Sequence, residues 1–86
     1  MRVEILSNRS TKWETLVRAT VKEASANCTE IDGFIRYFDS VLKDRKRETT
    51  GYIHDSYKAM KVCEYVQIYH TPASGNDRII AVVYPL

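Results

Sequence analysis

The feature that most constrains the fold of this chain is a change of hydrophobic period near its middle. In the first half, apolar residues recur at intervals of three and four, which is the spacing of one face of an α-helix. In the second half, they alternate with polar residues or form short runs, as strands do. A length of 86 residues allows one hydrophobic core. We therefore predict a single compact α+β domain over residues 1–86, with two amphipathic helices packed on a small antiparallel sheet.

Two helices are predicted in the first half. Thr11 and Glu14 have the spacing of a capping box, in which each side chain bonds the backbone N–H of the other residue, and the first helix should run from about residue 12 to residue 27. The second helix should begin near Thr29, with Asp32 three residues later. Their apolar stripes comprise Trp13, Leu16, Val17, Thr20, Val21, Ala24 and Cys28, then Ile31, Phe34, Ile35, Phe38, Val41 and Leu42.

The strands are predicted from alternation. Residues 2–6 place Val3 and Ile5 on one face, and residues 65–70 alternate in the same way. Residues 79–84 are apolar on both faces, which is typical of a central strand. Residues 52–61 fit either a helix or a strand, with a strand favoured from about residue 57. The predicted order is β-α-α-β-β, with a further strand if residues 57–61 are extended.

Several chemistries are not expected. The chain has only three glycines and carries no phosphate-binding or dinucleotide-binding loop. His54, His70, Cys28 and Cys63 do not have the spacing of a zinc site, so we predict no metal, no cofactor and two buried free thiols. The N-terminus lacks an apolar signal region and no run is long enough to cross a bilayer, so we expect a cytoplasmic protein.

One local cluster could move protons. His54, Asp55, Tyr57 and Lys58 are close in sequence, and a carboxylate beside a histidine can orient it for acid-base chemistry. A polar loop that leads into a strand explains the same residues, and we favour that interpretation. His70 precedes a turn and is predicted to be a surface residue at a strand end.

A second candidate is a binding surface for phosphates. The net charge of +2 is too small to indicate a partner, but cations concentrate near the end of the second helix, where they could contact a nucleic-acid backbone. Tyrosines on a strand add stacking surfaces. The candidate residues are Arg36, Lys43, Arg45, Lys46, Arg47, Lys58, Lys61, Tyr65 and Tyr69. A solvated helix end, partly neutralised by Asp39, Asp44 and Glu48, explains the charges equally well.

The segments SYKAMKVCEYVQIYH and DRIIAVVYPL, after a strand and two helices, resemble the RelE/ParE toxin superfamily of toxin–antitoxin systems. The resemblance implies an mRNA-cleaving or gyrase-inhibiting toxin held inactive by an antitoxin. Lys58 matches the first basic position of the family's second strand, whereas Met60 and Val66 stand where further basic residues are common. The family's catalytic tail would begin where this sequence ends, at Leu86. The resemblance therefore supports the fold of this family more than its nuclease activity.

Three functions remain as hypotheses. The leading one is a small non-enzymatic regulator of phage or plasmid type, similar to antitoxins or phage-encoded inhibitors of host defence, which binds RNA or a host or toxin protein. The second is a RelE/ParE-like toxin, with His54, Tyr57, Lys58 and His70 as RNA-contacting or proton-moving groups. The third is a subunit of a larger assembly, and self-association is compatible with all three.

Overall fold

The computed structural model describes residues 1–48 and 56–86. It contains the predicted elements in the predicted order: β1 (Arg2–Ile5), α1 (Lys12–Asn27), α2 (Ile31–Glu48), β2 (Ser56–Val62), β3 (Tyr65–Thr71) and β4 (Arg78–Tyr84). The α+β class is confirmed, and so is the strand that was favoured from residue 57. Residues 52–55 of that ambiguous segment lie outside the described residues.

The four strands form one antiparallel sheet in the order β1-β4-β3-β2. The last strand of the chain therefore lies between the first strand and β3, which explains why β4 is apolar on both of its faces. A bulge between Ile68 and Tyr69 shifts the register of β3 against β4. The edges of the sheet are the short β1 and the longer β2.

The first helix begins as the sequence predicts, but only half of the predicted capping box forms. The backbone N–H of Glu14 donates to the Thr11 hydroxyl at 3.3 Å, which satisfies one of the unpaired donors of the first turn. The Glu14 carboxylate does not reach back to the cap. It turns towards the sheet instead, and its contacts are described below. The second helix begins at Ile31, two residues after Thr29.

The core lies between the two helices and one face of the sheet. Phe34 and Phe38 of α2 are fully buried, with ring centroids 6.1 Å apart, and they pack with the apolar stripe of α1. The buried core comprises Val17, Val21, Ala24, Phe34, Phe38, Leu42, Tyr57, Val66, Ile68, Ile80, Ala81 and Val83. Val3 and Ile5 pack against its edge, on the face that the alternation predicts.

A two-residue turn joins β2 to β3, because Val62 pairs with Tyr65. Its first residue, Cys63, has a φ of 54°, in the left-handed region where glycine is the favoured residue. Cys63 is exposed and Cys28 is half-buried, and both thiols are free. The predicted burial of the two thiols is therefore wrong, most clearly for Cys63, because a tight hairpin turn places its residues outside the sheet.

Neither of the helices within residues 1–48 and 56–86 is long and apolar enough to cross a membrane.

Candidate functional site

Both helices pack on the same face of the sheet, as the composition of the core shows. Alternate residues of each strand point to the other side. Neither of the two described helices packs against that side. We call this side the open sheet face. It carries Arg2, Glu4 and Leu6 from β1 and the residue after it, Lys58, Met60 and Val62 from β2, Tyr65, Gln67 and Tyr69 from β3, and Ile79, Val82 and Tyr84 from β4.

Aromatic side chains form the centre of the open sheet face. The rings of Tyr65 and Tyr84 lie 5.6 Å apart on neighbouring strands, and the Arg2 guanidinium lies 4.5 Å from the centre of the Tyr84 ring. The Tyr69 hydroxyl donates to the Gln67 amide oxygen. These contacts hold the tyrosines in fixed orientations while leaving each ring partly exposed.

Among the described residues of this face, the charged ones lie on the two edge strands. Arg2 and Glu4 lie on β1 and Lys58 lies on β2, and all three are exposed. Exposed apolar side chains lie beside them: Leu6 is 50% exposed and Met60 is 51% exposed. The open sheet face thus has an uncharged centre and a rim with charges of both signs.

Of the predicted proton-moving residues that the structure describes, Tyr57 and His70 lie together, but Lys58 lies on the other side of the sheet; Asp55 is outside the described residues. Lys58 lies on the open sheet face opposite Tyr69, whereas its neighbour Tyr57 is buried on the covered face and stacks on the His70 ring, with centroids 4.6 Å apart. His70 is only 3% exposed, so its predicted surface position is wrong. It shares the alternation of Val66 and Ile68, which directs it to the core. His54 lies outside the described residues.

The predicted phosphate-binding residues are divided between the two layers of the molecule. Arg36 and Lys43 are exposed on α2, in the layer opposite the tyrosines, and Lys61 shares the covered side of β2 with Tyr57. Arg45 is engaged within the chain by the Glu23 carboxylate and the Thr20 hydroxyl. The side chains of Lys46 and Arg47 lie outside the described part of the chain. Tyr65 and Tyr69 do share one face, as predicted.

A buried polar network, not predicted from the sequence, joins the start of α1 to the sheet. Glu14 is completely buried. Its Oε1 accepts from Arg78 Nη2 at 2.6 Å, and its Oε2 accepts from the Ser7 hydroxyl at 2.8 Å and from Arg18 Nη1 at 3.3 Å. Arg78 Nη2 also lies 2.9 Å from His70 Nδ1. Because a guanidinium can only donate, His70 Nδ1 is the acceptor.

This network is suited to stability rather than to catalysis. Burial raises the pKa of Glu14, but hydrogen bonds from Arg78 and Ser7 and the charges of Arg78 and Arg18 outweigh it, so the pKa lies below the ordinary value. A carboxylate that is held ionised by three donors is a poor proton acceptor. The cluster therefore fixes α1 against β3 and β4.

A second, more exposed carboxylate links the helices. Glu23 of α1 accepts from Arg45 and from the Tyr37 hydroxyl of α2, the latter at 3.0 Å. The hydrogen bond from Arg45, followed by that from Tyr37, lowers the pKa of Glu23. The hydrogen bond from the Tyr37 hydroxyl to Glu23 raises the pKa of Tyr37, because the phenol must keep its proton to donate to the carboxylate.

The described residues form no cavity, and no group of three or more His, Cys, Asp or Glu side chains among residues 1–48 and 56–86 is placed to hold a metal ion. The open sheet face is therefore the candidate site, as an extended surface. Comparisons with protein-family models, with curated protein sequences and with solved structures found no significant match.

Proposed function

We propose that this chain is a non-enzymatic regulator that binds another protein through the open sheet face. The observation that carries the proposal is the division of this face into an uncharged centre and a charged rim. Small antitoxins and phage-encoded inhibitors of host defence are regulators of this general kind, acting by occupying a partner's surface.

The composition of the face matches the anatomy of protein interfaces. Such interfaces are depleted of charge at their centre and enriched in tyrosine, methionine and arginine, with a polar rim that excludes water. Tyr65, Tyr69 and Tyr84 lie on the two central strands, Met60 lies beside them, and Arg2 covers one ring. Tyrosine offers a large contact area at a small cost in side-chain entropy, and the contacts described above reduce that cost further.

The charges favour a protein over a nucleic acid. Binding to phosphates requires several cations on one surface, but the open sheet face carries only two among its described residues, Arg2 and Lys58, together with the anion Glu4. Arg36 and Lys43 of α2 lie in the opposite layer, and Arg45 is bonded to Glu23. A rim of mixed sign instead complements a protein surface, where opposite charges set the orientation of the partner.

The test compares two variants that add one negative charge each. Met60→Glu places the charge on the open sheet face, and Ala19→Glu places it on an exposed position of α1. We expect a protein recovered by affinity purification with the wild-type chain to be recovered equally with Ala19→Glu and to be lost, by tenfold or more, with Met60→Glu. Equal recovery with both variants would exclude the open sheet face as the binding surface.

A second experiment distinguishes a protein partner from RNA. Fluorescence anisotropy with a structured RNA at low and high salt should show no tight binding to the purified chain. Tight binding that falls steeply with salt and is lost when Lys58 and Arg2 are both changed to Ala would replace the protein partner with RNA as the target.

A RelE/ParE-like toxin is the second proposal, and one observation favours it. Lys58, which matches a basic position of that family, is exposed on the open sheet face beside Tyr69, where an RNA strand could reach it. This proposal predicts growth arrest when the chain is expressed and recovery of growth with Lys58→Ala. Arrest that persists in Lys58→Ala would reject the nuclease form of this proposal.

A further inference from the structure

We propose that, when no other partner is present, a second copy of the chain covers the open sheet face, so that two sheets pack face to face. The inference rests on the proposed function, because it concerns regulation of the same face: self-association would hide the tyrosines until a partner displaces the second copy. Two features of the face support it, namely its charge balance and its rows of side chains, and its area indicates how tight the dimer can be.

The charges of the rim balance within one copy. Arg2 and Glu4 lie on the β1 edge, and Lys58 lies on the β2 edge. Glu64 lies just beyond the end of β2, exposed in the turn to β3. When the exposed turn residue Glu64 is counted with the β2 edge, each edge carries one cation and one anion, and the centre carries none. Two identical faces of this kind do not repel each other, and the aromatic centres can meet without burying a charge.

The register of the strands divides the face into three rows. The first row holds Arg2, Tyr84, Tyr65 and Val62, the second holds Glu4, Val82, Gln67 and Met60, and the third holds Ile79, Tyr69 and Lys58. A dimer of identical faces has a two-fold axis in the plane between the sheets. That axis can run parallel or perpendicular to the strands, and the rows distinguish the two cases.

An axis parallel to the strands is the better arrangement. It places each row on the same row of the second chain, with the strand order reversed. As a result, β1 covers β2 of the other copy, and Tyr84 meets Tyr65 of the other copy. Arg2 then lies near the other copy's Glu64, and Glu4 near its Lys58. A perpendicular axis with full overlap would place Glu4 on Glu4. A shift that avoids this contact would leave the third row beyond the end of the other sheet.

The area indicates a weak and reversible dimer. Three strands of seven residues and the four-residue β1, about 4.8 Å apart and with about 3.3 Å per residue, form a face of at most about 19 by 23 Å. Two such faces would cover about 900 Å², below the size of a stable interface. A dissociation constant in the micromolar range is expected, which a partner of higher affinity can overcome.

The experiment exchanges charges between the two edges. In the double variant with Glu4→Lys and Lys58→Glu, the net charge is unchanged, the β1 edge carries two cations and the β2 edge carries two anions. With a parallel axis, opposite edges meet and the dimer should become about threefold to tenfold tighter at low salt. With a perpendicular axis, like edges meet and the dimer should weaken.

The dissociation constants would be measured by analytical ultracentrifugation. The control is the double variant with Lys22→Glu and Glu30→Lys, which exchanges charges at exposed positions on the helix side and should leave the constant unchanged. A wild-type chain that stays monomeric at about 1 mM would overturn the inference, and so would a dimer that the edge exchange weakens or leaves unchanged.

The dimer and the proposed regulator can fail independently, and the two experiments distinguish these failures. A monomeric chain whose captured protein is lost with Met60→Glu would reject the dimer and support the regulator. A dimer tightened by the edge exchange, in a chain that recovers the same proteins with Met60→Glu as with Ala19→Glu, would support the dimer and reject the regulator.

Discussion

The two faces of the sheet are built from alternate residues of the same strands, yet the charged groups beside them differ: they are buried and hydrogen-bonded on one side and exposed on the other. On the covered face, Glu14 is completely buried and both of its oxygens are bonded, with Arg78 and Arg18 supplying opposite charge. On the open sheet face, charges stand at the rim in water, and the centre is aromatic. The residues that stabilise the fold and those of the proposed binding surface therefore lie on opposite sides, and substitutions on the two sides should have separate effects.

The largest effect is expected from Arg78→Met. This change leaves the buried Glu14 carboxylate without its closest donor, and an uncompensated buried charge is strongly destabilising. Because the Arg78 side chain is 33% exposed, we expect a loss of about 3 kcal/mol in the free energy of unfolding, at the lower end of such effects. Urea unfolding followed by circular dichroism would measure it.

The matched control for this prediction is the double variant with Glu14→Gln and Arg78→Met. Removing the charge together with its partner should restore part of the lost stability, because a neutral amide is less costly to bury. If the double variant were less stable than Arg78→Met alone, the Glu14 charge would not be the source of the loss.

The second effect is the dependence of stability on pH. The pKa of Glu14 in the folded chain is lowered from 4.5, so its ionised form stabilises the fold at pH values above 4.5. This stabilisation should be lost progressively as the pH falls from about 4.5 through the folded pKa. Glu14→Gln should remove much of the acid loss in urea unfolding from pH 7 to pH 3.

Glu23→Gln provides the comparison for this prediction. The pKa of Glu23 is also lowered, by Arg45 first and then by Tyr37, but its side chain is 37% exposed and solvent screens the pair. Its substitution should change the acid loss less than Glu14→Gln does. The reverse ranking would mean that the helix contact, rather than the sheet contact, governs acid unfolding.

The third effect is a gain of stability in the β2–β3 turn. Cys63 has a φ of 54°, which costs a residue with a Cβ about 1 kcal/mol relative to glycine. Cys63→Gly should therefore raise the free energy of unfolding by about that amount. Cys63→Ser keeps the Cβ and should give no gain; an equal gain from serine would show that the thiol, and not the backbone, was unfavourable.

The smallest effect on stability is expected from Met60→Glu, although this variant should abolish binding. Met60 is 51% exposed, and exposed substitutions usually change stability by less than about 0.5 kcal/mol. Ala59, its neighbour, packs against the core, so Ala59→Glu should be clearly destabilising. Thermal unfolding of both variants would show whether the two sides of β2 differ as the account requires.

Local patterns predict the elements of this fold well, because helices and strands carry their own periods. The spacing of the apolar stripe predicts the span of α1, and the alternation of β3 predicts the side of each residue. Applied to His70, whose phase matches Ile68, this alternation would have corrected the predicted surface position. Contacts between distant segments are not encoded in this way. Glu14 and Arg78 meet because β4 lies beside β1, and the strand order that brings them together does not follow from the spacing of either residue.

The candidate site was predictable in part for the same reason. Tyr65 and Tyr69 share a phase on one strand, so their common face follows from the sequence. Tyr84 and Arg2 join them only through the pairing of β4 with β3 and β1. The cations of α2 were grouped with the tyrosines because both could contact a nucleic acid, but the fold places Arg36 and Lys43 in the layer opposite Tyr65 and Tyr69.

The most direct test of the account is to place a photo-reactive phenylalanine derivative at Met60 and, separately, at Ala19, and to irradiate cells that express each variant. The account predicts covalent adducts to protein, either a partner or a second copy of the chain, from position 60 and not from position 19. Adducts of equal yield from both positions, or none from position 60, would contradict the assignment of the open sheet face as the binding surface.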